Sequence, residues 1–161
     1  MKNNLFKCLL FSLVIIVAIS CGSKKEEPVA PVIDKEQIKI DIQAKENEFA
    51  EVFNSRELKN IGYYAEDAVS YSQNKPPLEG REAIVEYFKA NMDTTPNKIQ
   101  FTTKEVFVEN DGAHVVEIGY YKLVDANDSV VNSGNYMSIF EMRDGKYVCI
   151  RDMSTSDLPL D

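Results

Sequence analysis

A chain of 161 residues with 26 acidic and 18 basic side chains carries a net charge of −8 at neutral pH. That balance argues against nucleic acid as a partner, because such binding rests on cationic neutralisation of phosphates, and against adhesion to anionic lipid headgroups. A single histidine and no cysteine cluster offer no metal-ligand set, and neither a Gly-rich phosphate loop nor a nucleophile elbow is present.

Residues 1–20 have the three parts of an export signal. Lys2 and Lys7 make the positive end, and Leu9 to Ile19 is an apolar run broken only by Ser12, too short to span ~30 Å of hydrocarbon as a helix. It ends in Ala18-Ile19-Ser20-Cys21, which resembles the lipobox of bacterial lipoproteins. The resemblance implies cleavage before Cys21, thioether-linked lipid and palmitate on that residue, and anchorage to the bacterial envelope. The lack of Asp after Cys21 is similar to lipoproteins sorted to the outer membrane. Loss of residues 1–20 would remove two lysines and no acids, taking the net charge from −8 to −10, so the lipid alone would hold the chain to the membrane. Residues 21–33 mix charge and proline without periodicity and read as a tether. Residues 34–157 have the size of one domain. Cys149, between Val148 and Ile150, reads as a small buried apolar residue without sulfur chemistry.

Asp34-Lys-Glu-Gln37 predicts a capping box. Ile38, Ile42, Phe49, Val52 and Phe53 continue from it at helical spacing to about Ser55, with Lys45, Glu46, Glu48 and Glu51 assigned to the other side. A short second helix is expected over Arg56–Ala65, with Leu58, Ile61 and Tyr64 inward, and a strand over Asp67–Ser72. Pro76-Pro77 forces a turn. A third helix is expected over Arg81–Met92, with Ile84, Phe88 and Met92 on one stripe. After Pro96 the period changes to two, giving strands over about 99–109, 113–124, 131–143 and 146–155, with Asp111-Gly112 and Asp144-Gly145 as tight hairpin turns. The sum is an α+β domain, three N-terminal helices packed on one face of an antiparallel sheet.

Hairpin arithmetic gives a register. Asp144-Gly145 as the turn sets Phe140 opposite Cys149, Ser138 opposite Arg151 and Tyr136 opposite Met153. Asp111-Gly112 sets Val108 opposite Val115 and Val106 opposite Glu117. Pairing Val124 with Val131 then puts Glu117 beside Ser138 and Gly119 beside Tyr136. One face thereby carries Glu117, Tyr121, Tyr136, Ser138 and Arg151, with Gly119 and Gly134 expected to open space, an apolar wall with a few convergent polar groups such as a ligand cavity needs. Arg151 and Glu117 in one row would hold a polar or anionic ligand by charge-assisted hydrogen bonds, or would form a structural ion pair. The other face carries Val116, Ile118, Tyr120, Met137, Ile139, Val148 and Ile150, an apolar patch larger than a monomer usually exposes. It points to a homodimer or another protein partner.

Tyr64-Ala-Glu-Asp67-Ala-Val, Leu78-Glu-Gly80-Arg-Glu-Ala-Ile84-Val-Glu-Tyr-Phe88, Gly134-Asn-Tyr136, Asp144-Gly145-Lys-Tyr147 and Arg151-Asp152 resemble the nuclear transport factor 2-like superfamily, and within it the SnoaL-like domains. The resemblance implies a cone-shaped, cystatin-like fold, dimerisation through the outer sheet face, and a cavity in which some relatives use an Asp, a His or a Tyr–Asp pair for proton transfer. It also implies that Asp152 lies on the strand where SnoaL-like cyclases keep an acid–base aspartate, although the register above points its side chain outward. Asp67 is expected to cap or pair, and His114, beside a turn, to be solvated. The leading expectation is therefore a lipid-anchored, non-catalytic domain that binds an unidentified small molecule, with no cofactor. The alternatives are an isomerase, cyclase or hydrolase working by proton transfer, and a protein-interaction module. A carboxyl group inside an open cavity, with a raised pKa, would favour the enzyme.

Overall fold

The computed structural model describes residues 33–58, 61–92 and 96–159. The expected signal, Cys21 and the tether as far as residue 32 lie outside the described residues.

Helix α1 runs Lys35–Ser55. Asp34 caps it as expected, its Oδ1 accepting from the Gln37 backbone N–H at 3.0 Å. The return half of the capping box is not made, because the Gln37 amide donates to Asp41 instead. Arg56 ends the helix in the left-handed region, φ 67°, its N–H bonded to Phe53 O. Strand β1 (Tyr64–Ser72) follows, then the two-residue strand β2 (Leu78–Glu79), helix α2 (Arg81–Met92), and strands β3 (Lys98–Val108), β4 (His114–Val124), β5 (Val130–Arg143) and β6 (Lys146–Ser154).

Two helices, not three, are present among the described residues. The stretch expected as the middle helix begins with the αL residue Arg56 and ends inside β1. Tyr63, Tyr64 and Ala65 are consecutive and all buried, which one face of a short helix cannot achieve. The sheet also departs from pure antiparallel pairing. Its order is β2-β1-β6-β5-β4-β3, and β1 runs parallel to β6.

The meander itself follows the expected register: Val108 faces Val115, Val106 faces Glu117, Glu117 faces Ser138, Gly119 faces Tyr136 and Phe140 faces Cys149. Val124 pairs with Val130 rather than Val131, through an irregularity confined to the end of that ladder. Asp144 and Gly145 both take positive φ, the conformation that a two-residue hairpin needs.

Edge strand β3 is covered by α1, whose polar side chains occupy backbone groups left open at the edge. Asn54 accepts from Ile99 N at 2.7 Å and donates to Ile99 O at 3.0 Å, and Gln43 accepts from Thr103 N at 2.8 Å. Between helices and sheet lies the core of Ile42, Phe49, Ile84, Val115, Phe140 and Cys149, where each large apolar side chain contributes about 1.5–3 kcal/mol by leaving water. Cys149 is fully buried.

Candidate functional site

One irregularity decides what the cavity contains. On β6, Cys149 pairs with Phe140 but Arg151 pairs with Ile139, so Ile150 is an extra residue with no opposite number on β5. Such a bulge reverses the inside–outside alternation of everything beyond it. The β1 ladder jumps at the same place, from Tyr64–Cys149 to Val69–Arg151. The expected pairs Ser138–Arg151 and Tyr136–Met153 are therefore corrected: Ser138 faces Asp152 and Tyr136 faces Ser154. Arg151 does not enter the cavity or meet Glu117. Its guanidinium donates to the backbone oxygens of Ile150, at 2.6 Å, and Asp67, at 3.2 Å. Asp152, assigned outward from the sequence, turns under the helices.

The cavity encloses about 300 Å³. Its walls are aromatic, among them Phe49, Phe53, Phe88, Phe101, Tyr64 and Tyr136, and its polar groups include Glu46, Ser138 and Asp152. Phe49 is the hub, with ring centroids 5.0 Å from Tyr63, 5.6 Å from Phe88 and 5.6 Å from Phe101. Tyr121, half-buried, also lines the space. The glycines expected to open room are instead in close contact: a Cβ on Gly119 would lie 2.1 Å from the Tyr136 ring, and one on Gly134 would lie 1.8 Å from Thr155 O.

Three carboxyl groups lie in or behind this space. Asp152 Oδ2 accepts from the Tyr64 hydroxyl at 2.7 Å. Glu46 Oε1 accepts from Tyr63 at 2.5 Å, and the same hydroxyl lies 3.2 Å from Ser138 Oγ. Glu117 Oε1 accepts from Thr103 at 2.6 Å and from Tyr136 at 2.8 Å. Thr103 reaches it because β3 has its own bulge between Thr103 and Glu105. Two oxygens, Glu117 Oε2 and Asp152 Oδ1, are shielded from solvent without a hydrogen-bond partner among the described residues.

Burial pushes all three acids above the ordinary carboxyl range, because the charged form loses its hydration. For Glu46 the shift is large, and the neighbouring Glu117 charge adds to it. Glu117 rises less, since the Thr103 and Tyr136 hydroxyls favour its ionised form. Both acids therefore hold their protons to higher pH than an ordinary carboxyl, Glu46 the more strongly, and they titrate as a pair. Asp152 is raised by burial and pulled part of the way back by Ser70 and Tyr64 beside it. Burial and the adjacent acids push the Tyr63, Tyr64 and Tyr136 phenols up, so all three stay protonated as donors.

Of the residues singled out in the sequence, Glu117, Tyr136 and Ser138 come together, Tyr121 joins them from the wall, and Arg151 stands apart. Asp67 is exposed and pairs bidentately with Arg143 at 2.6 and 3.1 Å, which lowers its carboxyl below the usual value. His114 is exposed and bonded to Glu109 at 2.9 Å, which raises its imidazole. Sequence reasoning missed Glu46, Tyr63, Tyr64 and Thr103. Glu46 falls with Ile42 and Phe49 on the buried stripe of α1, which corrects its assignment to the solvent side; the gap in the apolar series between Ile42 and Phe49 was the signal. Among the described residues no group of three or more His, Cys, Asp or Glu side chains is placed to hold a metal.

Several solved structures share this fold. A cystatin-like protein of unknown function from Nostoc punctiforme superposes with a TM-score of 0.65 at 17% identity, over 76% of this chain and 92% of its own. A ketosteroid isomerase-like protein from Erwinia carotovora atroseptica gives 0.63 at 16% identity, over 79% and 100%. A protein from Catenulispora acidiphila, solved in complex with S-DNPA, gives 0.64 at 15% identity, over 76% and 95%. Identities this low show the fold alone. No curated protein matches significantly. The SnoaL-like domain model, in contrast, matches residues 47–150, a stretch that holds the end of α1, all of α2, Glu117 and the whole β4–β5 hairpin. The chain therefore belongs to the SnoaL-like domain family.

Proposed function

We propose that the cavity binds a small, largely apolar organic molecule and moves a proton on it, with Asp152 as the acid–base group. The observation that carries this reading is the setting of that one carboxyl: Oδ2 is held by Tyr64, Oδ1 is shielded and unpartnered, and burial raises its pKa. A carboxyl tuned upward in this way ionises closer to neutral pH, where a general base combines availability with driving force. Carbon acids next to a carbonyl suit such a base. The Asp152 carboxylate takes the proton, the electron pair moves onto the carbonyl oxygen, and the acid formed returns its proton to the same or a conjugated carbon. Glu46 also lines the cavity, from α1, and its raised pKa suits it to donate to the charge developing on oxygen. The ketosteroid isomerase-like neighbour is named for chemistry of this class.

Binding without turnover, the reading favoured by the sequence, uses the same walls and differs only in what Asp152 does. The two are separated by proton exchange on small cyclic enones in D₂O, followed by ¹H NMR. Exchange catalysed by the wild-type domain and lost in Asp152→Asn supports the proposal. Enones that bind but do not exchange would return the domain to non-catalytic binding, and exchange that survives in Asp152→Asn would remove Asp152 from the acid–base role.

We further propose that the chain is exported and lipid-anchored through Cys21, and that it pairs with a second copy through the outer sheet face. The lipobox-like residues support the anchor, which incorporation of a clickable palmitate analogue, absent in Cys21→Ala, would test. The apolar outer residues support the dimer: Met137 is exposed, and Val116, Ile118, Tyr120, Ile139, Val148 and Ile150 are half-buried in the single chain.

A further inference from the structure

We infer that the molecule this cavity takes carries a protonated amine, seated on Asp152 with its apolar body among the aromatic walls. The inference rests on the reading of the cavity as a small-molecule site and not on turnover there.

The reason is a mismatch of hydrogen-bonding groups. The carboxyls of Glu46, Glu117 and Asp152 are acceptors when ionised, and the nearby hydroxyls of Tyr63, Tyr64, Tyr136 and Thr103 already donate to them. After those donors are used, Asp152 Oδ1 remains buried without a partner, whereas Glu117 has the Glu46 carboxyl as a hydrogen-bonding neighbour. A buried acceptor left open is costly, so the site favours a ligand that brings a donor. A ligand that brought only acceptors, such as a carboxylate, would enlarge the deficit. An ammonium brings three donors and no acceptor.

Charge leads to the same class. Among the described residues lining the cavity, Arg56 is the one basic side chain, and it is exposed, its Nη2 donating to Asn97 O at 3.3 Å. The acids inside have no cationic partner within the walls. Buried carboxylates are ordinarily paired, and a cationic ligand supplies that pairing as a charge-assisted contact. The surrounding rings act in the same direction. Phe49, Phe88, Tyr64 and Tyr136 present faces and edges to the space, and aromatic faces attract a cation within ≈ 6 Å. Asp152 lines the cavity and Glu117 does not, so Asp152 is the contact group and the Glu46–Glu117 pair supplies the field behind it.

The test compares three probes of nearly equal size on the intact domain by calorimetric or fluorescence titration at neutral pH: 2-phenylethylamine, 2-phenylethanol and phenylacetate. The amine is expected to bind at least tenfold tighter than the alcohol, and phenylacetate weakest of all. In Asp152→Asn, checked for folding by circular dichroism, the advantage of the amine over the alcohol should vanish. Alcohol binding as tight as the amine would overturn the inference while leaving the small-molecule site intact. Phenylacetate binding tightest would overturn it in favour of an anion seat at Arg56. Should none of the three bind, the inference and the small-molecule reading fall together. The wild-type comparison decides the matter even where the variant does not fold.

Discussion

Ser138 on β5 stands directly across from Asp152 on β6, and it does so because Ile150 is one residue too many for the ladder. Without that residue Arg151 would face Ser138 and the cavity would hold a cation beside its acids. With it, the guanidinium lies outside, bonded to backbone oxygens, and the carboxyl lies under the helices.

Arg151 and Asp152 are therefore expected to behave oppositely on substitution. Arg151→Ala should change stability by no more than about 1 kcal/mol, the range of exposed polar contacts, and leave probe binding unaltered. Asp152→Asn should hold or raise stability at pH 8, because it removes a carboxyl whose ionised form is disfavoured by burial, while it abolishes exchange activity. Urea denaturation and ligand titration of both variants check this. Loss of binding in Arg151→Ala with none in Asp152→Asn would contradict it.

The acids also fix how stability follows pH. Glu46 and Asp152 hold their protons in the folded chain to higher pH than in the unfolded chain, where they ionise near 4.5 and 3.8. Between the unfolded and the folded titration the native state binds more protons, so stability falls as pH rises. Asp67, lowered by Arg143, acts with the opposite sign, and only below its ordinary value of 3.8. The melting temperature should therefore decline from mildly acidic pH toward neutral. Glu46→Gln should flatten that slope, and a melting temperature rising over the same interval would contradict the burial of these groups in neutral form.

Gly119 offers a packing test. A methyl group there would overlap the Tyr136 ring, displacing the hydroxyl that holds Glu117 at 2.8 Å. Gly119→Ala is expected to cost about 1–3 kcal/mol, as overpacking usually does, and to weaken every cavity ligand. Retained stability with unchanged ligand affinity would mean that Tyr136 can leave Glu117 freely.

The outer face makes the fourth case. If two copies meet there, sedimentation at tens of micromolar should give a dimer mass, and Ile118→Lys together with Met137→Lys should give monomers with the fold preserved. A wild-type monomer under those conditions would remove the dimer proposal without touching the cavity.

Much of the fold could be read from residues. Asp34 capped α1, the Asp144-Gly145 turn set the last hairpin, and the alternation of β4 and β5 placed Glu117, Ser138 and Tyr136 together. What failed was local and has physical causes. A β-bulge leaves no mark in an alternating apolar pattern, since Val148-Cys149-Ile150 reads equally well in either parity, so Arg151 and Asp152 were exchanged. Glu46 was misplaced because charge suggested solvent, although positions 42, 46 and 49 share one helical face. Helical spacing puts Tyr64 inward and passes over Tyr63, whereas both are buried side by side where the chain enters β1 and Tyr63 O accepts from Cys149 N. The misses at Asp152, Glu46 and the Tyr63–Tyr64 pair fell on the cavity, where local preference yields to the demands of a site.

The ionisation of the buried carboxyls is the most direct measure of the whole proposal. In ¹³C-carboxyl NMR, Glu46 should titrate well above the ordinary glutamate range and Asp152 above the ordinary aspartate range, with one signal lost in Glu46→Gln and the other in Asp152→Asn. Carboxyls that all titrate at or below ordinary values would place Asp152 in water and leave the cavity without its acid–base group.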